Sequence, residues 1–269
     1  MAVMATITES IKNIIRSKKQ KQAFHIPPGI RVYAIGDIHG RADLLQQLHE
    51  MIIHDVESTD TPAENKVVYL GDYLDRGPYA KETIEEVLSG LPADFSPEYL
   101  RGNHEDLFLH FLEDASVLDV WLGLGGQATL LNYGIQAPGS GFDAKRAEDV
   151  REAFLDAVPA RHLDFMKTLK PFVQIGDFFF VHAGIRPGIP LQKQSEDDLF
   201  WIRDDFLESK TDHGAKIVHG HTISNRVQQH PNRIGLDTGA YATGILTCAV
   251  MEEDRIRFLS TTPESQKNH

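Results

Sequence analysis

The sequence contains a single cysteine, Cys248, among 269 residues. One cysteine excludes a disulfide bond within the chain and is typical of a reducing compartment. It lies in the largely apolar run from Ile245 to Val250, which predicts a buried thiol in a strand. No stretch approaches the roughly 20 apolar residues of a membrane-spanning helix, and no basic leader precedes an apolar segment near Met1. We therefore expect a soluble, cytoplasmic protein without a membrane partner.

Basic residues are also scarce, since 27 lysines and arginines face 39 aspartates and glutamates, which gives a net charge of -12. General binding of nucleic acid needs a basic surface that displaces the counterions around phosphate groups. The composition therefore argues against nucleic acid as a partner. It predicts nothing about the oligomeric state.

One apolar run, Val67–Leu70, is typical of a strand that is buried on both faces. Gly71 follows it and lets the backbone turn without a Cβ clash. The next residue, Asp72, is then expected at the carboxyl end of the strand, where open α/β sheets form their ligand crevice.

Four other apolar runs end in the same way, with a glycine beside polar side chains that can bind a metal. They lead into residues 36–40, 102–105, 182–184 and 219–222. Because the carboxyl ends of parallel strands meet at one edge of a sheet, we expect the five loops to lie together in an α/β fold.

Apolar residues at helical spacing follow the first three loops, so helices are predicted from Ala42, over Ala80–Leu88 and over Glu105–Asp114. From Ala115 to Leu169 the alternation of strands and helices stops, and the sequence predicts several short helices. We interpret this segment, about residues 115–170, as a helical cap inserted into the domain.

The predicted domain spans residues 26–260. An N-terminal arm, residues 1–25, precedes it as a short amphipathic helix or a solvated segment, and a tail, residues 261–269, follows it. Near its end, strands at 233–237 and 244–251 are expected to form one antiparallel layer.

Carboxylate, amide and imidazole groups, without a thiolate, gather at the predicted strand ends. These ligands suit divalent ions, and we expect two, with manganese as the first choice and iron or zinc as alternatives. A histidine at a strand end is by itself more often a packed polar residue, but burying so many polar groups without an ion would cost several kcal/mol. One ion is expected at Asp37 and His39, the second at Asn103, His182 and His221, and Asp72 between them.

A pair of ions roughly 3.5 to 4 Å apart suits in-line displacement at phosphorus, because a bridging water ionises near neutral pH and both cations stabilise the developing charge. Guanidinium groups would hold the phosphate. The candidates are Arg76, Arg203 and Arg101, and each could instead form a structural ion pair.

His104 follows the expected ligand Asn103 and should point in a different direction. This position suits a general acid that protonates a departing alkoxide, with Asp75 holding the other ring nitrogen. The alternative is a residue that only supports the ligands. We expect such a supporting or packing role for His219, because only one of the histidines at 219 and 221 need bind metal.

The motifs that carry these residues occur in the order and spacing of a known family. They are GDIHG at 36–40, GDYLDRG at 71–77, RGNHE at 101–105, VHAG at 181–184 and GHT at 220–222. They resemble those of the calcineurin-like metallophosphoesterases, and specifically the serine/threonine protein phosphatase branch. Trp201–Arg203 is similar to a Trp-x-Arg sequence of the bacterial and phage type.

The resemblance implies a four-layer αββα sandwich of two mixed sheets flanked by helices, with metals at the loop ends of the sheets. It implies an acid pair, His104 and Asp75, and arginines on the phosphate, Arg76 and Arg203. Its two metal sites would comprise Asp37, His39 and Asp72, and Asp72, Asn103, His182 and His221.

The implied activity is that of a metal-dependent phosphomonoesterase acting on phosphoserine or phosphothreonine proteins. The alternative is a symmetrical diadenosine tetraphosphatase, but those enzymes usually carry alanine in place of Asp75 and aspartate in place of Glu105. A more remote alternative is a scaffold that binds phosphoproteins without turnover, which should lack His104 or Asp75. The chain also lacks the Ser-Ala-Pro-Asn-Tyr loop of the eukaryotic enzymes and has Thr238–Tyr241 instead.

Overall fold

The computed structural model describes residues 24–262, and within them ten strands form two five-stranded sheets. Most of the predicted N-terminal arm and C-terminal tail lies outside the described residues. The strands of the first sheet are β1 (Ile30–Ile35), β2 (Glu64–Tyr69), β3 (Ser96–Tyr99), β9 (Thr247–Glu252) and β10 (Arg255–Ser260). Those of the second sheet are β4 (Phe172–Ile175), β5 (Phe178–Val181), β6 (Lys216–His219), β7 (Gln228–Gln229) and β8 (Arg233–Gly235).

Both sheets are mixed. The first has the order β10-β9-β1-β2-β3, and the second has the order β4-β5-β6-β8-β7. Strands β1, β2 and β3 are parallel, as are β5, β6 and β8, whereas β4, β7, β9 and β10 pair antiparallel. The parallel strands therefore bring their carboxyl ends to one edge of each sheet.

Helices flank the sheets. The first group is α1 (Ala42–Glu57), α2 (Ala80–Ser89) and α3 (Asn103–Glu113), close to the predicted helices. The segment that was expected to form a helical cap contains α4 (Leu118–Gly123), α5 (Gly126–Asn132), α6 (Ala144–Ala157) and α7 (Ala160–Thr168). Shorter helices follow as α8 (Glu196–Trp201), α9 (Asp204–Leu207) and α10 (Ala240–Thr243). No helix among residues 24–262 is long and apolar enough to cross a membrane.

Three apolar cores pack against the faces of the two sheets. Alternate residues of β1 enter different cores, because successive side chains of a strand point to opposite faces. Val32 and Ala34 pack between the two sheets, whereas Tyr33 and Ile35 pack against the helices on the outer face of the first sheet. A third core on the outer face of the second sheet joins Phe179 to α8 and α9. This order of helices, sheet, sheet and helices confirms the predicted fold.

The prediction of a single antiparallel layer near the end of the chain is wrong. Strand β8 lies in the second sheet between β6 and β7, whereas β9 lies in the first sheet beside β1. The two strands are close in sequence, but each completes a different sheet. The buried thiol is confirmed, since Cys248 on β9 is fully buried.

Candidate metal centre and active site

The loops after the parallel strands meet at the edge where the two sheets face each other. Their close approach depends on glycine at the end of β2 and before α3. A Cβ atom on Gly102 would lie 2.2 Å from Oδ1 of Asp72, and one on Gly71 would lie 2.6 Å from the Gly102 nitrogen. Gly71 also has a φ of 99°, which favours glycine. These positions let Asp72 lie directly against the start of α3.

The first group of possible metal ligands consists of His39, Asp72 and His104, all of which are buried. Nδ1 of His39 donates to the Leu74 carbonyl at 2.9 Å, and Nε2 lies 3.4 Å from Oδ2 of Asp72. The backbone contact fixes the tautomer, so that the free nitrogen faces the carboxylate. Burial, together with the nearby charges of His104 and Arg76, lowers the pKa of His39 to about 3 and keeps the ring neutral.

The second group consists of Asp72, His182 and His221. Nδ1 of His182 donates to the Leu70 carbonyl at 2.9 Å. Its Nε2 then carries a lone pair, yet it lies 3.0 Å from Oδ1 of Asn103, 3.1 Å from Nδ1 of His221 and 3.4 Å from Oδ1 of Asp72. Burial lowers the pKa of His221 to about 2. A divalent cation among these nitrogen and oxygen atoms would be bound by several of their lone pairs at once.

Asp72 lies between the groups and offers one oxygen to each. Burial would raise the pKa of this carboxyl, but His182, His104 and His39 outweigh burial and lower it well below its ordinary value. The carboxylate therefore stays ionised. Such a mixture of imidazole, carboxylate and amide donors fits manganese, iron or zinc.

The carboxylate of Asp37 lies against the loop that carries His221. Its two oxygens accept from the backbone nitrogen of His221 at 3.1 and 2.9 Å. The third possible ligand atom close to those of His39 and Asp72 belongs to His104. Burial, with the charges of Asp237 and Asp72, raises the pKa of Asp37 well above its ordinary value. A cation at this position would offset that crowding of negative charge.

His104 and Asp75 form a buried pair beside the first group. Nδ1 of His104 lies 2.6 Å from Oδ2 of Asp75. Trp121 Nε1 donates to the same oxygen at 2.9 Å, and Thr129 Oγ1 donates to Oδ1 at 2.6 Å. Nε2 of His104 points the other way and lies 3.8 Å from Oδ2 of Asp72. The arrangement leaves this nitrogen facing the metal ligands.

Of the three arginines expected on phosphate, Arg76 contacts the possible metal ligands and Arg203 lies close enough to affect their pKa. The guanidinium of Arg76 lies 3.0 Å from Nε2 of both His39 and His104. Arg203 is exposed, donates to Oγ1 of Thr222 at 3.3 Å, and lowers the pKa of His182 and His221 after the larger effect of burial. Both could therefore meet a substrate at the metal centre.

Arg101 has a different environment. Its guanidinium lies 3.7 Å from Asp106 and 5.8 Å from the centre of the Phe200 ring. The structure does not bring it to the metal ligands. Because Arg101 precedes Gly102 and Asn103 in the sequence, it was expected to lie near the metal ligands. Its contacts with Asp106 on α3 and Phe200 on α8 direct the guanidinium elsewhere.

His219 lies behind the ligands and packs edge-on against Phe206, with ring centres 5.1 Å apart. Nδ1 contacts the Gly220 carbonyl at 3.1 Å, and burial lowers the pKa of the ring to about 3. A neutral, packed imidazole at this point fits the supporting role expected for it.

Two residues that shape the site, Glu105 and Asp237, were given no role in it by the sequence analysis. Oε2 of Glu105 accepts from the backbone nitrogens of Asp72 and Gly102, and Oε1 accepts from those of Tyr73 and Leu74. Asp237, after β8, is buried among the ligands. The presence of Glu105 within the RGNHE motif was the available signal for its role. For Asp237, the signal was a carboxylate at the end of a sixth parallel strand, β8.

Backbone strain is concentrated in the same loops. Among the described residues that are not glycine, six have a positive φ, and all but Glu253 are predicted site residues: His39, Asp72, Asp75, Arg76 and His221. Left-handed backbone costs about 1–3 kcal/mol per residue and clusters at functional sites. The strained backbone therefore lowers the stability of the fold, and in return it orients these side chains towards the site.

Known proteins resemble the chain over most of its length. The family model for calcineurin-like phosphoesterases matches residues 30–244. A relative from Anoxybacillus flavithermus, named asymmetrical bis(5'-nucleosyl)-tetraphosphatase PrpE, is 26% identical over 85% of this chain and 94% of its own length. A protein of the same name from Bacillus thuringiensis is 25% identical over 79% of this chain and 87% of its own length.

Solved structures share the fold at lower identity. A proposed diadenosine tetraphosphatase superposes with a TM-score of 0.55 at 20% identity, over 88% of this chain and 96% of its own. A mutant of a cold-active protein tyrosine phosphatase superposes with a TM-score of 0.53 at 17% identity, over 90% of this chain and 84% of its own. The family has a dinuclear metal site, and this chain has two His/Asp groups that could each hold an ion. The chain belongs to the calcineurin-like phosphoesterase family.

Proposed function

We propose that the protein is a manganese-dependent phosphomonoesterase that removes phosphate from phosphoserine and phosphothreonine in proteins. The observation that carries the proposal is the buried pair of His104 and Asp75, with Nε2 of His104 facing the metal ligands. A serine or threonine alkoxide is a poor leaving group and needs a proton as it departs. A phosphate leaving group, as in dinucleoside tetraphosphates, needs that help far less.

The residues divide the reaction between them. Arg76 and Arg203 bind and orient the phosphate, and His104 donates the Nε2 proton to the leaving oxygen as its bond to phosphorus breaks. The oxygen of water forms the new bond to phosphorus. Asp37, His39, Asp72, Asn103, His182 and His221 would hold two divalent ions. When bound, the ions supply charge neutralisation and acidify water.

The helical segment 115–170 is proposed to form the wall of the site that selects substrates. Arg76 donates its backbone N–H to the Gly125 carbonyl at 3.1 Å, and its Nε donates to the Leu124 carbonyl at 3.3 Å. Trp121 and Thr129 hold Asp75 from the same segment. Through α4 and α5 the segment therefore fixes a phosphate ligand and the acid pair together.

Hydrolysis of dinucleoside tetraphosphates is the second candidate, because the relatives from Anoxybacillus and Bacillus bear the name of such an enzyme. They are named asymmetrical, whereas the alternative suggested by the sequence was the symmetrical type.

The deciding experiment compares kcat/KM for phosphoserine and phosphothreonine peptides with that for diadenosine tetraphosphate, in manganese. Higher kcat/KM on the peptides is expected. A preference for the dinucleotide would overturn the substrate assignment, and the products, AMP with ATP or two ADP, would give the type of cleavage. Absence of turnover on p-nitrophenyl phosphate would favour the non-catalytic scaffold.

A further inference from the structure

Asp237 follows β8 at the same edge as the metal ligands and takes no part in the steps above. It is 3% exposed. Oδ1 accepts from the Gly239 nitrogen at 2.8 Å, but Oδ2 is buried without a hydrogen-bond partner. A buried carboxylate oxygen without a donor is costly, because an ionised group loses its hydration and gains nothing in return.

The backbone holds Asp237 beside Asp37. A Cβ atom on Gly36 would lie 2.7 Å from the Leu236 oxygen and 3.5 Å from the Asp237 nitrogen, so the two loops are in direct contact. Ser224 also donates its N–H to the Asp237 carbonyl at 3.0 Å. The carboxylate is therefore fixed in place.

The surroundings of Asp237 are crowded with negative charge. Burial raises the pKa of Asp237 to about 6, and the charge of Asp72 acts in the same direction. Burial and then the charge of Asp237 raise the pKa of Asp37. Arg76 and Arg203 oppose these effects on Asp237, but no hydrogen bond joins either guanidinium to it in the described residues. Among the described residues, Asp237 therefore has no direct ion pair, and two more distant guanidinium groups only partly offset the negative charge around it.

A purely structural role would not need an aspartate here. An asparagine could accept the same hydrogen bond from the Gly239 nitrogen and would bring no charge into the cluster. The negative charge and the free oxygen are both explained if a cation lies beside them.

We propose that Asp237 is a further carboxylate of the metal centre and uses its free Oδ2 to help bind the cation beside Asp37. The inference rests on the metal centre and not on the substrate class. It assigns to Asp237 an effect on metal affinity that is separate from any effect on folding.

The test measures manganese binding to the full chain after its metals have been removed. Asp237→Asn keeps an acceptor for Gly239, and Asp237→Ser is a second uncharged variant in case the first does not fold. Asp254→Asn, at an exposed aspartate in the turn between β9 and β10, is the matched control. Free manganese is followed by electron paramagnetic resonance, and Tm is measured with and without the metal.

We expect the wild type and Asp254→Asn to bind two manganese ions equally well. In the Asp237 variants, one of the two ions should bind about 10- to 100-fold more weakly. Without metal, Asp237→Asn should have a Tm that is higher by about 2–4 °C, because one of three crowded charges has gone.

Two results would overturn the inference. In one, both Asp237 variants bind two ions as tightly as the wild type. In the other, the metal-free Tm falls while affinity is unchanged, which would show a role in folding alone. Failure of the wild type to bind manganese would instead refute the metal centre itself, and with it the proposed function.

Discussion

Nδ1 of His104 donates a hydrogen bond to Oδ2 of Asp75 at 2.6 Å, and neither residue is exposed to solvent. Burial alone would lower the pKa of His104. The negative charges of Asp72 and Asp75 outweigh burial and raise it above its ordinary value. Arg76 opposes this rise, since its charge lowers the pKa of His104. The net direction favours a protonated imidazole, which is the state that a general acid requires.

Replacing this acid should affect substrates according to their leaving groups. His104→Asn should lower kcat on a phosphoserine peptide by about 100- to 10,000-fold. The loss on p-nitrophenyl phosphate should be far smaller, because nitrophenolate departs without a proton. His110→Asn, at an exposed histidine on the same helix, is the control. Equal losses on both substrates would contradict the role of acid.

The pH dependence of kcat should also differ between substrates that need an acid and those that do not. A raised pKa means that His104 keeps its proton at pH values up to and beyond its ordinary pKa of 6.5 and loses it only as pH rises through the higher value. The kcat for the phosphoserine peptide should therefore fall on the alkaline side, by about tenfold per pH unit. The kcat for p-nitrophenyl phosphate should not show this fall. A shared alkaline limb would assign the ionisation to another group.

Thr129 should matter for stability through its contact with Asp75. Its Oγ1 donates to Oδ1 of Asp75 at 2.6 Å and accepts from the Asp75 nitrogen at 3.0 Å, all within the buried core. Thr129→Val keeps the volume but leaves both groups without a partner, so the free energy of unfolding in urea should fall by about 1–3 kcal/mol. Thr211→Val, at an exposed threonine, should change it little. Similar values for the two variants would refute the contact.

The sequence predicted the loops well because each carries its own signal. Val67–Leu70 and Gly71 lie next to Asp72, so the strand, the turn and the ligand could be recognised from a few neighbouring residues. The arrangement of strands depends on contacts between distant segments, which periodicity does not encode. For this reason β8 and β9 could not be assigned to their separate sheets, and Asp237 was not linked to Asp37.

The direction of a side chain at the end of a strand is also determined by contacts with distant segments. Arg76 and Arg101 both follow a strand of the first sheet, but only the Arg76 guanidinium contacts the possible metal ligands, so lysine variants of the two can be compared. Arg76→Lys keeps the charge and the left-handed backbone but loses the two-pronged guanidinium. Inorganic phosphate should inhibit this variant about tenfold less strongly, since a charge-assisted hydrogen bond contributes about 1.5–3 kcal/mol.

Arg101→Lys should leave phosphate inhibition unchanged, because the Arg101 guanidinium lies beside Asp106 and Phe200. Inhibition constants are measured with p-nitrophenyl phosphate as the substrate. If phosphate inhibited Arg101→Lys more weakly than Arg76→Lys, Arg101 would bind phosphate, as its position in the sequence suggested.

Glu105 should have the largest effect on the loop that carries Asp72. Its two oxygens accept backbone N–H groups of Asp72 and Tyr73 at 2.8 Å, Gly102 at 3.0 Å and Leu74 at 3.4 Å. Glu105→Gln replaces one acceptor by an amide that turns its own hydrogens towards these donors. With manganese bound, the free energy of unfolding should therefore fall by about 1.5–3 kcal/mol. Glu113→Gln, at an exposed glutamate on the same helix, should change it by far less. If the two variants unfold at the same urea concentration, Glu105 does not hold the loop.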